Sequence, residues 1–431
     1  MAKTKTIPVR KDADTKDTWD LKKLFANDEA WEKALKSLES KIEGYGKFRG
    51  KLAESPASLK RCLEFDVEVE KLAEQVGSYA FLKSCEDVAD STYQGMVARS
   101  TFVATRAGEA ASYIAPEIQA MPAERLQEFI RSAALKPFRF QLEKLLRYKP
   151  HILSESEERL LAMQGEVAGS ASRIFGQLTD ADFKFGDVRD EEGDKVELSQ
   201  GSFRVFLESP KRAVRKAAFE RFYRIYEDHG NTLAATLSSS VLQDVYRSRA
   251  RNYPSAREGA LFSDNVPVAV YDSLVKTVHD NLDTVYHYLD VRRKALGGKK
   301  LHFYDTYAPL VQNGKTRIPY TEAVETVCDS LTPLGTEYCK TLRDGLSSRW
   351  VDRYESKGKR SGAFSAGGYT GPPYILMNYK QNVLDSMFTL AHEAGHSMHT
   401  YYSARNQPFQ SYQYTIFVAE VASTFNEQLL N

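Results

Sequence analysis

The residues best suited to chemistry are His392-Glu393-Ala394-Gly395-His396. On a helix, positions four apart lie one turn apart on one face, so both imidazoles can reach one metal ion. Glu393 falls one residue off that line, where it is poorly placed to ligate but well placed to take a proton from water at the metal. With 8 histidines in 431 residues, a chance match to this pattern is on the order of one in a hundred. The plainer alternative is two partly buried histidines on a core helix.

A catalytic zinc ion takes three protein ligands and keeps a fourth position open. His399 lies on the same face, but 392, 396 and 399 would form a row along about 10 Å of helix. A straight row cannot wrap a tetrahedral ion, so His399 is expected in an outer, structural role. Glu420 and Glu427 belong to the next predicted helix, over 414–430, and share a polar face with Thr424. Phe417, Val418, Val421, Phe425 and Leu429 form its apolar face. Two acids seven apart can serve as ligand and as a group that orients a ligand; spacing alone does not rank them.

The elements that must hold these groups are mostly helical. Leu384, Met387, Phe388 and Ala391 give the histidine helix an apolar stripe, with Asp385 near its start. Gly395 costs that helix about 1 kcal/mol relative to alanine, and close approach of a neighbouring element is the expected reason for it. Stretches 28–48, 56–88, 92–114, 124–148 and 154–178 carry apolar residues at three- and four-residue steps, and 200–295 returns to long helices divided by Asp264-Asn265-Val266-Pro267. A hairpin is expected over 181–198, where Phe183 and Phe185 alternate with polar residues before the turn at Asp190–Gly193. A second extended stretch, 362–379, is rich in glycine and proline, and Tyr374–Met377 suits a strand.

Bulk properties narrow the function classes. Lys plus Arg number 59 against 58 Asp plus Glu, which argues against a general nucleic-acid binder. The small basic patch of Lys357, Lys359 and Arg360 reads as a solvated loop. No run approaches the ~18 apolar residues of a membrane span. The first residues lack an apolar secretory core, so a flexible leader is expected over 1–18. Cys62, Cys85, Cys328 and Cys339 lack zinc-ribbon or redox spacing; they read as reduced, buried thiols of a cytoplasmic protein.

Beyond the motif itself, AFSAGGYTGPPYILMNYKQNVLDSMFTLAHEAGHSMHTYYS followed by YTIFVAEVASTFNE resembles oligoendopeptidase F, within the thimet oligopeptidase-like zinc peptidases. DTWDLKKLF, PHILSESEERLLA, RSRARNYPSAREGALFSDNVP and LHFYDTYAPLV extend the likeness along nearly the whole chain. The resemblance implies a mainly α, multi-helical fold with a substrate channel and a small β-sheet near the metal. It implies one zinc ion per chain on His392, His396 and Glu420, with Glu393 as catalytic base and His399 and Glu427 outside the ligand set. It implies oligopeptide substrates, paired along a strand edge near Gly367, Gly368, Tyr369 and Gly371.

The expected organisation is an N-terminal helical region over 19–115, a second over 116–200 ending in the hairpin, and a catalytic domain over 201–431. The resemblance also implies a further C-terminal portion, missing or separate, that carries tyrosine and histidine donors to the transition state. A competing reading is a catalytically idle helical protein that binds peptide while keeping the metal.

Overall fold

The computed structural model describes residues 7–310 and 317–431. Capping side chains set where its long helices begin. The Asn27 side chain accepts from Ala30 N at 2.9 Å and opens α1 (Asp28–Ile42). Ser55 accepts from Ser58 N at 3.1 Å, with Pro56 in the first turn, and opens α2 (Pro56–Glu86). Asp90 does the same through Thr92 N at 2.8 Å for α3 (Ser91–Ala111). Each satisfies an orphan amide of a first turn. α1 then buries Trp31, Leu35, Leu38 and Ile42, a helical stripe against α2 and α3.

The stretch expected to be helical over 124–148 is broken by a 3₁₀ segment, Ala133–Phe138, which contains Pro137. The stretch over 154–178 divides into Glu155–Met163, Gly165–Ala168 and Ser170–Gly176. A single π turn, Gln177–Asp182, follows. The hairpin forms from β1 (Asp187–Arg189) and β2 (Lys195–Glu197), antiparallel with Val188 opposite Val196. Phe183 and Phe185 are not strand residues. They precede β1 and anchor it in a separate apolar cluster, Phe185 stacking on Phe222 at 4.5 Å.

A three-stranded sheet joins the two larger cores. β3 (Val351–Asp352) runs parallel to β5 (Tyr374–Leu376), and β4 (Phe364–Ala366) pairs antiparallel on its other side. Side chains alternate across β5: Tyr374 and Leu376 enter the core of α1–α3, while Ile375 and Met377 enter the core behind the histidine helix. β4 is an edge strand. β3 was not foreseen, because two residues are too few to show alternation.

Two expectations are corrected here. From Ile7 onward the supposed leader is tied down: Ile7 N donates to Glu197, Arg10 pairs with Asp352 at 2.5 Å, and Asp17 with Arg353 at 2.8 Å. Two of these partners lie more than 300 residues away, beyond the reach of local composition. Lys359 is not a solvated loop residue. Its buried ammonium meets Asp352 at 2.6 Å and donates to the carbonyls of Tyr354 and Met377, each at 2.6 Å, the pairing a buried charge requires. Cys62, Cys85, Cys328 and Cys339 are free and buried. Among the described residues no helix is long and apolar enough to cross a membrane.

Candidate metal centre

The helix Asp385–Asn406 buries Leu390, Ala391, Ala394 and Met398 in a core shared with Val324, Val327 and Leu342. Its opposite contact is the helix Ile416–Leu430, and Gly395 explains how near that helix comes. A Cβ at 395 would sit 2.6 Å from the carbonyl oxygen of Ala422 and the Cα of Ser423. The close approach expected of Gly395 is thus a backbone contact. Asn426 fixes the same junction, donating to Ala391 O at 3.2 Å from a buried position.

This crossing brings three ligand atoms together. His392 Nε2 and His396 Nε2 lie 3.2 Å apart, and each lies 3.3 Å from Glu420 Oε2. Bonds of about 2.0–2.1 Å in tetrahedral geometry put ligand atoms about 3.3–3.4 Å apart, so the triangle has the edge of a zinc site. Its electronics agree. His392 Nδ1 lies 2.6 Å from Glu427 Oε1, which assigns the ring proton to Nδ1 and leaves the Nε2 lone pair facing the corner. His396 bonds the backbone of Ala419, and burial, opposed by the charge of Glu420, holds its pKa below the usual value. Glu420 is kept ionised chiefly by a hydrogen bond from Ser423 Oγ, 2.8 Å from Oε2, and further by the two histidines. Three lone pairs converging at this spacing repel one another unless a cation sits between them. The residues fit zinc.

Glu393 lies beside the corner on the buried side. Burial pushes its carboxyl up to about 7; His392 opposes this, Glu420 adds to it, and a hydrogen bond from the Ser365 backbone favours the ionised form. Ser365 belongs to β4, and its hydroxyl meets Ser397 Oγ of the histidine helix at 2.8 Å. The edge strand therefore passes directly over Glu393.

The other expected site residues are more scattered. His399 stacks on Tyr414 with centroids 3.5 Å apart, and its buried Nδ1 has no partner; it stands outside the triangle. Glu427 contacts His392 and not the corner. Gly367, Gly368, Tyr369 and Gly371 follow β4 and pack toward Thr400, α2 and Leu24. The Tyr369 amide donates to Glu74 at 2.7 Å, and Gly371 has φ +97°, a region that favours glycine. Sequence reasoning missed Ser365, Ser423 and Asn426. Ser423 stands three residues after Glu420, a helical spacing that could have exposed it; Ser365 gave no signal.

Fold and site together define a mainly helical chain whose H-E-x-x-H corner is closed by a glutamate from the following helix. The chain belongs to peptidase family M3, whose family description it matches over residues 205–431, with the description "Oligopeptidase F" matching 117–185. It is 42% identical to Oligopeptidase PepF of Bacillus subtilis over 429 residues, covering 99% of this chain and 64% of that protein. It is 39% identical to an oligoendopeptidase F homolog of Borreliella burgdorferi, covering 98% of this chain and 70% of that one. The crystal structure of oligoendopeptidase-F from Enterococcus faecium superimposes with a TM-score of 0.71 at 30% identity, over 94% of this chain and 66% of that chain. The chain thus spans about two thirds of the length of these relatives.

Proposed function

We infer that the protein is a zinc-dependent endopeptidase that hydrolyses internal bonds of short oligopeptides, working in the cytoplasm. The observation carrying this reading is the triangle of His392 Nε2, His396 Nε2 and Glu420 Oε2 at 3.2–3.3 Å, with the buried Glu393 beside it. His392, His396 and Glu420 are the residues that would hold the ion, in a catalytic portion assigned to 201–431. A zinc ion there supplies Lewis-acid chemistry, acidifying water and polarising a carbonyl oxygen.

The chain's own groups do the rest. Glu427 holds the His392 ring in the tautomer that presents Nε2, and Ser423 holds the Glu420 carboxylate ionised. Glu393, with a proton affinity near neutrality, takes a proton from the attacking water and passes it to the leaving amine. The free edge of β4 offers backbone groups to an extended peptide, which favours binding through main chain and tolerates varied side chains. This moves the proposed pairing edge from the glycines at 367–371 to the strand just before them.

The test is Glu393→Gln, assayed with quenched fluorogenic oligopeptides alongside metal analysis. Wild type should bind about one zinc and lose cleavage to chelator; the variant should keep the metal and lose turnover by about a hundredfold or more. Equal turnover in both proteins would remove Glu393 from the reaction.

A further inference from the structure

The helix Ile416–Leu430 carries the ligand Glu420 about one turn from its start, and its own residues hold that start weakly. Thr415, at the cap position, makes no side-chain bond to the first turn, and that turn holds no acid. One first-turn amide, Phe417 N, donates to Asp264 at 3.3 Å. Ile416 and Phe417 are exposed, and the Glu420 side chain is 58% exposed. The buried contacts of this helix lie further along, where the Ser423 backbone meets Gly395 and Asn426 bonds Ala391. Helix ends fray when nothing holds them, and Glu420 lies only about 6 Å along the axis from Ile416.

Tyr414 supplies what the first turn lacks. It stands two residues before the helix, and two adjacent residues of the histidine helix grip it. Its ring stacks on His399 with centroids 3.5 Å and planes 6° apart, and its hydroxyl meets Oγ1 of the buried Thr400 at 3.0 Å. The buried Nδ1 of His399 has no partner among the described residues, so the ring holds Tyr414 by its face. The segment before Tyr414 is tied as well: Ser403 Oγ donates to Tyr412 O, and the Tyr412 hydroxyl donates to Glu74. Two ligands depend on this point. Beside Glu420 stands Ala419, whose backbone bonds His396, so a shift of the first turn displaces one ligand and frees the ring of another.

We propose that Tyr414, gripped by His399 and Thr400, is a positioning residue for the metal ligand Glu420, holding the first turn of its helix where the triangle needs it. The proposal rests on the metal site of the reading above. It gives His399 a task other than ligation: a ring outside the triangle sets the place of the carboxylate that closes it. Groups of this kind, which orient a ligand without touching the ion, carry a measurable part of metal affinity.

The test measures zinc affinity of the full chain by competition with a chelator of known affinity, and needs no cleavage. Tyr414→Leu loses both stack and hydroxyl and should weaken zinc binding by about tenfold. Tyr414→Phe keeps the stack and should lose less than about fivefold. His399→Leu should follow Tyr414→Leu, and His399→Phe, which restores a ring face, should recover most of that loss. Each effect should run through Glu420: in a Glu420→Ala background, Tyr414→Leu should change the remaining affinity by no more than about twofold. A merely structural tyrosine would lower the melting temperature of the metal-free protein and leave zinc affinity alone, or would weaken zinc equally in both backgrounds. Either result overturns the proposal, as does a wild-type chain that binds no zinc. Should Tyr414→Leu fail to fold, Tyr414→Phe and His399→Leu read the same coupling to Glu420. Zinc bound with these dependences but no peptide cleaved would sink the hydrolytic reading and leave the positioning role standing.

Discussion

The histidine helix and the helical pair Val268–Asp280 and Leu282–Ala295 are all rich in apolar side chains, yet they meet opposite fates. Asp385–Asn406 buries nine residues, Glu393 and Gly395 among them, and is clamped between a core and the helix Ile416–Leu430. Val268–Asp280 buries none, and Leu282–Ala295 buries only Arg292. Leu274 is 63% exposed where Leu390 is 0%. Ile416, Phe417, Val421 and Phe425 likewise face outward, although their helix buries Ser423 and Asn426 against the histidine helix. The difference teaches that local pattern fixes which face of a helix is apolar, while the rigidity that holds a ligand triangle comes from what packs on that face.

The strongest way to break the comparison is to truncate one leucine in each region. Leu390→Ala should cost about 2–5 kcal/mol through lost burial and the cavity left behind, whereas Leu274→Ala should stay within about 0.5 kcal/mol. Urea midpoints measure both; equal losses would mean the exposed helices are as tightly packed as the site.

A subtler probe sets helix propensity against packing at Gly395. Alanine should stabilise an isolated helix by about 1 kcal/mol. Here the new Cβ would press on the backbone at Ala422 and Ser423, an overpacking cost of about 1–3 kcal/mol. Gly395→Ala is expected to lower the melting temperature and weaken zinc affinity together, because the helix displaced is the one bearing Glu420. A rise in melting temperature with unchanged affinity would show that the contact yields freely.

The outer carboxylate should have the smallest effect on stability. Glu427→Gln keeps shape but weakens its hold on His392 Nδ1, and should lower zinc affinity by about 10–100-fold, measured by competition with a chelator of known affinity. Unfolding free energy of the metal-free protein should change far less. If zinc affinity stays put, Glu427 orients nothing.

Much of this was legible in the chain itself. The i, i+4 histidines, the glutamate between them and the two acids seven apart named every member of the corner, since helical periodicity is a local property. Motif resemblance, not spacing, favoured Glu420 over Glu427. The helical stretches expected from 28, 56 and 92 start within one residue of α1, α2 and α3. Less legible were β3, the breaks at Pro137 and around Gly165, and the burial of Lys359.

What the sequence determined is the inventory of candidate ligands, candidate base and helices, because donor type and turn geometry are fixed within a few residues. The tertiary structure alone decided that the carbonyl of Ala422 would rest against Gly395, that Ser365 would cross over Glu393, and that Arg10 would reach Asp352. Each is a contact between segments remote in the chain, chosen by how cores fill and buried charges pair. No local pattern encodes such a choice.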